Sequence, residues 1–314
     1  VKVLGVLSAA AVGLAVLSLL VGAAGLGVPD QLILWQIRLP RTALAAVVGG
    51  GLGLSGAVLQ GALRNPLADP GLLGVSGCAA LGAVLTFYWG IYAIAPLALP
   101  AGAMFFAALG CAMLLAFSGR ALSGPSLILA GVALSALASA FIALALSLAP
   151  NPFALAEITF WLMGGLEDRT LLHLAVAAPP ILLGCALLLR LGRRLDALSL
   201  GEATAGTLGL DVRRTLILAS IGVTLAVGAG AAVAGGIAFV GLVVPHLLRP
   251  FVGQRPGAML APALAGGAVL LLAADLLARL APLVLPLASE PRLGVLTALL
   301  GAPMLVRIAR QVAP

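Results

Sequence analysis

The residues able to do chemistry are few in this chain of 314: ten carboxylates, two histidines, three cysteines and one lysine. ATP hydrolysis in a phosphate-cradling loop needs a lysine that reaches the phosphates, and the only lysine is Lys2. Covalent or acid–base catalysis would call for a Ser-His-Asp set, a carboxylate pair or a Cys-x-x-Cys motif, and the sequence offers none. His173 and His246 have no Cys, His or carboxylate companion at metal-ligand spacing, so both read as structural polar groups. Cys78, Cys111 and Cys185 lie far apart in apolar runs and read as small core residues. Asp275 and Arg279 are four residues apart on one helix face, the spacing of an intrahelical ion pair rather than a proton relay. The chain is therefore expected to hold no catalytic residue, metal or cofactor of its own.

What remains is a small set of polar stretches. Arg38 and Arg41 flank Pro40 in "RLPRT", read as a loop. In "RNPLADPGLLGVSG", Pro66 and Pro70 push Asn65 and Asp69 out of helical geometry and make a stiff turn. Asp69 then stands where it can accept the free N–H groups of the next helix. The longest polar break, about 191–213, alternates Leu195, Leu198, Leu200, Leu208 and Leu210 with polar residues, and its glycines divide it into short helical pieces. Such a stretch is either a docking surface for a protein partner or an amphipathic helix at the membrane interface.

These stretches punctuate a chain that is 62% hydrophobic and only 9% charged. A soluble protein carries about 25% charged residues, so the solvent of this one is a lipid bilayer. Forty glycines suit close helix packing, and no alternating strands of a membrane barrel are visible. Cutting at clusters of charge and proline predicts spans over 3–26, 42–62, 72–92, 97–117, 126–148, 171–190, 214–234, 237–249, 258–281 and 293–310. The first run is too long for a signal-peptide core and reads as a membrane helix. The eighth span is short. With ten helices and both termini inside, Lys2 and Arg64, 120, 190, 193, 194, 213, 214, 249, 255, 307 and 310 fall on one side. Arg38, 41, 169, 279 and 292 fall on the other, a positive-inside bias that makes the termini cytoplasmic. The net charge of +7 is thus a topology signal and not a nucleic-acid footprint. A membrane conduit powered from outside itself, with a cytoplasmic docking surface, fits these features. An ion-coupled secondary transporter and a passive channel are the alternatives from other classes.

Seven stretches narrow the choice. "RLPRTALAAVVGGGLGLSGAVLQGALRNPLADPGLLGVSGCAALGAV" (Arg38–Val84), "LILAGVALSAL" (Leu127–Leu137) and "WLMGGL" (Trp161–Leu166) come first in order. "LSLGEATAGTLGLDV" (Leu198–Val212), "GGIAFVGLVVPHLLR" (Gly235–Arg249), "LLAADLLAR" (Leu271–Arg279) and "LGVLTALLGAPMLV" (Leu293–Val306) follow. Together they resemble the iron-siderophore, haem and vitamin B12 importer permeases, the FecCD/BtuC-like membrane subunits of type II ABC importers. The resemblance covers nearly the whole chain. It implies an all-α integral membrane fold of ten helices forming one permease domain over 1–314, set in the bacterial inner membrane. It also implies a homodimer with the path at its interface, two ABC ATPase subunits that hold ATP and magnesium, and a periplasmic substrate-binding protein.

Residue by residue, the resemblance makes 191–213 the coupling loop, with Ser199, Leu200, Gly201, Glu202, Ala205, Leu208 and Gly209 entering a cleft of the ATPase. Arg38, Arg41 and Arg279 match positions that present arginines to glutamates of the binding protein. Asn65, Pro66, Asp69 and Pro70 would stand at the cytoplasmic mouth of the path as part of its gate. Gly131, Ser135 and Ser139, four residues apart on the fifth span, are read by default as packing positions and by resemblance as path lining. Haem is the favoured cargo, on "NPLADPGLLGVS", with a ferric siderophore or vitamin B12 as alternatives.

Overall fold

Helices account for most of the computed structural model, which describes residues 2–22, 25–27, 30–95, 97–119, 122–149, 152–286 and 289–312. Arg120, counted in the charge asymmetry, lies outside the described residues, as do the side chains of Arg307 and Arg310.

We number the principal helices α1 (Lys2–Leu20), α2 (Gln31–Ala62), α3 (Val75–Tyr88), α4 (Ala98–Phe117), α5 (Gly124–Ser147), α6 (Pro152–Leu162) and α7 (Leu171–Leu189). There follow α8 (Gly192–Leu198), α9 (Glu202–Thr207), α10 (Val212–Ala234), α11 (Val240–Val252), α12 (Pro256–Val284) and α13 (Leu293–Val312). Seven of these (α1, α2, α4, α5, α7, α10 and α12) are long and apolar enough to cross a bilayer, by length and composition. α3, α6, α11 and the Leu293–Met304 part of α13 are shorter apolar helices.

Three departures from the sequence reading have physical causes. The first helix ends at Leu20, and Val21–Gly22 pairs with Gly25–Leu26 as a two-residue antiparallel ladder. The guanidinium of Arg38 fills the space beside Gly22 and donates to the carbonyls of Leu19 (2.8 Å) and Gly27 (3.3 Å), so the chain turns around a cation instead of extending. Second, Arg38 and Arg41 are helical and not on a loop. Pro40 offers no N–H to the carbonyl four residues back, and a wide π-turn over Leu34–Arg38, closed by Leu39 N–H on Leu34 O, carries the helix past it. Third, α6 lies between two predicted spans. At 11 residues it is far shorter than the roughly 20 a crossing requires.

The core is built on α2, most of whose residues from Pro40 to Ala62 are buried, whereas α1 is apolar all round and buries Ser18 alone. Backbone contact holds α2 in place. A Cβ added at Gly53 would stand 2.4 Å from the carbonyl oxygen of Ala263 on α12, and one at Gly49 would stand 2.4 Å from that of Gly267. At Gly56 the clash with Gly241 O on α11 would be 1.8 Å. With no hydrophobic drive between helices in lipid, such close approach is what van der Waals packing can use. The three cysteines are buried free thiols, and the His173 ring closes a capping box with Thr170 at the start of α7.

Candidate functional site

At one end of the bundle, where α1 ends and α2 begins, Arg41 Nε donates to Asp275 Oδ1 at 2.8 Å and Nη2 to Glu290 Oε2 at 2.6 Å. Arg279 donates to the other Asp275 oxygen and to the carbonyls of Ser18 (3.0 Å) and Val21 (3.5 Å). The Asp275–Arg279 pair read from the spacing is therefore present, and Arg41 makes it a triad. Asp275 is fully buried and Arg279 is only 4% exposed. Neither a charge nor its partner can leave such a site singly without a desolvated ion remaining. Ser18 Oγ and Thr42 Oγ1, 2.7 Å apart, tie α1 to α2 beside it. Arg279 is thus not presented to an outside partner, Arg41 is 11% exposed, and Arg38 is half-buried without a carboxylate partner among the described residues. At the rim Arg292 pairs with Glu167 at 2.7 Å. Burial pushes the Glu167 carboxyl up and the Arg292 guanidinium pulls it back.

The opposite end carries the turn after α2 and the 191–213 stretch. Arg64 takes a left-handed conformation, φ 50°, where glycine usually ends a helix. Asn65 Oδ1 accepts from Leu67 N at 2.9 Å, and Asp69 Oδ1 accepts from Gly71 N at 2.9 Å. Asp69 caps a single 3-10 turn, Pro70–Leu73, and not the helix itself, which begins at Val75 after left-handed Gly74. Burial raises the Asp69 carboxyl above its ordinary value, opposed by the N–H groups of Gly71 and Leu242. Pro66 is half-buried and Pro70 buried.

α5 packs directly on this turn. A Cβ at Gly131 would lie 2.0 Å from Leu72 O, and Ser135 Oγ donates to Gly71 O at 3.3 Å. Ser139, one turn on, is exposed. Gly131 and Ser135 accordingly hold the turn, the packing role read by default, and only Ser139 stands open.

The 191–213 stretch forms α8 and α9. Its leucines divide sharply: Leu195 and Leu198 are buried at 0%, and so unavailable to a docking surface, while Leu200 and Leu208 are 61% and 65% exposed. Leu210 is half-buried, Ser199 and Gly209 are exposed, and Gly201 is half-buried. Ala205 is fully buried and faces inward, not toward a partner. Glu202 Oε1 accepts from Gly124 N, the first turn of α5, at 3.3 Å, linking α9 to the helix that grips the turn. A cluster invisible in the sequence lies alongside. Gln60 on α2 is buried, donates to Gly241 O (3.4 Å) and accepts from Arg249 Nη2 (2.9 Å).

The profile of the FecCD transport family matches residues 3–311. The vitamin B12 import system permease protein BtuC of Klebsiella pneumoniae is 41% identical over 287 residues, 90% of this chain and 83% of that protein. The ferric enterobactin transport system permease protein FepD of Escherichia coli is 39% identical over 287 residues, with the same coverage. A solved structure described provisionally as a metal-chelate type ABC transporter, in an inward-facing conformation, superposes with a TM-score of 0.89 at 34% identity, over 99% of both chains.

Proposed function

The chain belongs to the FecCD transport family and is a permease of the type II ABC importer kind; from that premise we propose that it imports a metal chelate, driven by a separate ATPase and supplied by a binding protein. The observation that carries the cargo class is the likeness, along nearly the entire length, to permeases for vitamin B12 and ferric enterobactin. A corrinoid and a ferric siderophore therefore rank ahead of haem, which rests on the "NPLADPGLLGVS" motif alone. α3, α11 and α13 join the seven long helices as membrane crossings, ten in all, with both termini cytoplasmic in a bacterial inner membrane.

In this reading the chain works as a homodimer. Exposed Leu200 and Leu208, with Ser199, Gly201 and Gly209 around them, enter the ATPase cleft. Glu202 relays the movement to α5, and Ala205 anchors α9 from inside. The turn of Asn65, Pro66, Asp69 and Pro70, gripped by Gly131 and Ser135, moves with α5 as a rigid gate element, and Ser139 faces the path. On the outer side Arg38 makes the contact with an acidic binding protein, and Arg41 and Arg279 brace it through Asp275.

Reconstitution in proteoliposomes with the ATPase and binding protein tests this. We expect ATP-dependent uptake of cobalamin or a ferric siderophore, with haem measured alongside. Uptake driven by a proton or sodium gradient without ATP would establish a secondary transporter instead, and uncoupled flux a channel.

A further inference from the structure

Between α2, α11, the start of α12 and Ser199 lies a cavity of about 180 Å³ lined by Arg64, Arg249 and Arg255, with Gln60 and Gln254. Among the described residues none of these arginines has a carboxylate within ion-pair distance, whereas Arg41, Arg279 and Arg292 at the other end all do. The two carboxylates on the neighbouring helices are already engaged by backbone. Asp196 on α8 accepts from Gly257 N at 2.7 Å, and Glu202 on α9 accepts from Gly124 N at 3.3 Å. Arg249 is held in position by the uncharged amide of Gln60, which fixes its direction without neutralising it. A guanidinium has five N–H donors, and this is the one hydrogen bond the Arg249 side chain makes among the described residues. The side chains of Arg64 and Arg255 take part in no ion pair among the described residues.

Three like charges around one space repel one another unless an anion sits among them. They approach from three elements: the end of α2, the end of α11, and the turn before α12. A planar carboxylate offers its edge to one or two guanidinium forks, but a tetrahedral phosphoryl group offers an oxygen edge in each direction. We infer that this cavity binds a phosphoryl anion, drawn either from the headgroup of an anionic lipid or from free phosphate. Only the lipid source depends on the reading of this end as cytoplasmic membrane surface.

The test uses the full-length chain purified in detergent, by native mass spectrometry and thermal unfolding, with phosphatidylglycerol, phosphatidylcholine or inorganic phosphate added. Phosphatidylcholine is the control, since the cavity repels its choline. One phosphatidylglycerol retained per chain with a raised melting temperature is expected. Arg249→Gln and Arg64→Gly should each weaken it at least tenfold, and Arg193→Gln, of an exposed arginine outside the cavity, should not. Arg64→Gly also relieves the left-handed backbone, so lost binding there is not lost folding. Stabilisation by inorganic phosphate with the same arginine dependence supports the site and assigns it to the free anion. Binding of neither, or binding indifferent to the arginine variants, overturns the inference. Loss of ATPase assembly in those variants without phosphoryl binding overturns it too, and gives the arginines to a partner's carboxylate. None of these readouts involves uptake, so failure of the transport reading leaves them interpretable.

Discussion

Two clusters of arginine, one at each end of the bundle, are satisfied in opposite ways. Where α1 meets α2, Arg41 and Arg279 close on a fully buried Asp275, with Glu290 completing the set. At the other end Arg64, Arg249 and Arg255 ring a cavity with no carboxylate among them. The first arrangement locks helices together, because every charge has its counter-charge inside the chain. The second leaves its charge without a carboxylate among the described residues, the observation on which the phosphoryl site rests. An arginine on a membrane protein is therefore to be read by its partners before its topology.

The sharpest way to break this contrast is Asp275→Ala. Breaking a buried ion set by removing one member costs about 3–5 kcal/mol, so the variant should unfold at markedly lower temperature in detergent or fail to accumulate. Arg249→Gln should leave the melting temperature nearly unchanged, and equal losses would erase the distinction. Next in size is Arg64→Gly. A left-handed non-glycine residue costs about 1–3 kcal/mol, so the glycine variant should melt higher, measured without added lipid, and a lower melting point would mean that Arg64 is structural after all. The smallest effect is Asp69→Asn. Because burial raises the Asp69 carboxyl, its protonated form is favoured in the folded chain. Its contribution is complete below the ordinary aspartate value and is lost as pH rises through the raised one. The asparagine keeps an oxygen to accept from Gly71 N, so that decline in stability should vanish from a melting-temperature profile against pH. An unchanged slope would assign the titration elsewhere.

Much of this was legible in the sequence, and what was not has a common cause. Composition dictated a helical membrane protein, and the seven ordered stretches identified the family, because both depend on local residue content. The four-residue spacing of Asp275 and Arg279 likewise announced their pair. The third member, Arg41, lies 234 residues away, and Glu290 lies on the segment before α13. The packing of α2 against α12 brings Arg41 to Asp275, and Arg41 in turn reaches Glu290. Pro40 suggested a loop because proline ordinarily ends a helix, and the π-turn that accommodates it has no composition of its own. The leucines of 191–213 all looked alike, yet Leu195 and Leu198 pack inward while Leu200 and Leu208 face out, a division that follows the end of α8 at Leu198. The arginine cavity was hidden for the same reason as the triad: Gln60, Arg64, Arg249 and Arg255 belong to segments that meet only in space.

The glycine contacts of α2 limit how such a chain can move. Gly49 and Gly53 meet the α12 backbone, and Gly56 meets α11, at distances that exclude even a methyl group. A side chain brought into the place of Gly49 or Gly53 would meet a carbonyl of α12, and one in the place of Gly56 a carbonyl of α11, so the three helices are held in one register.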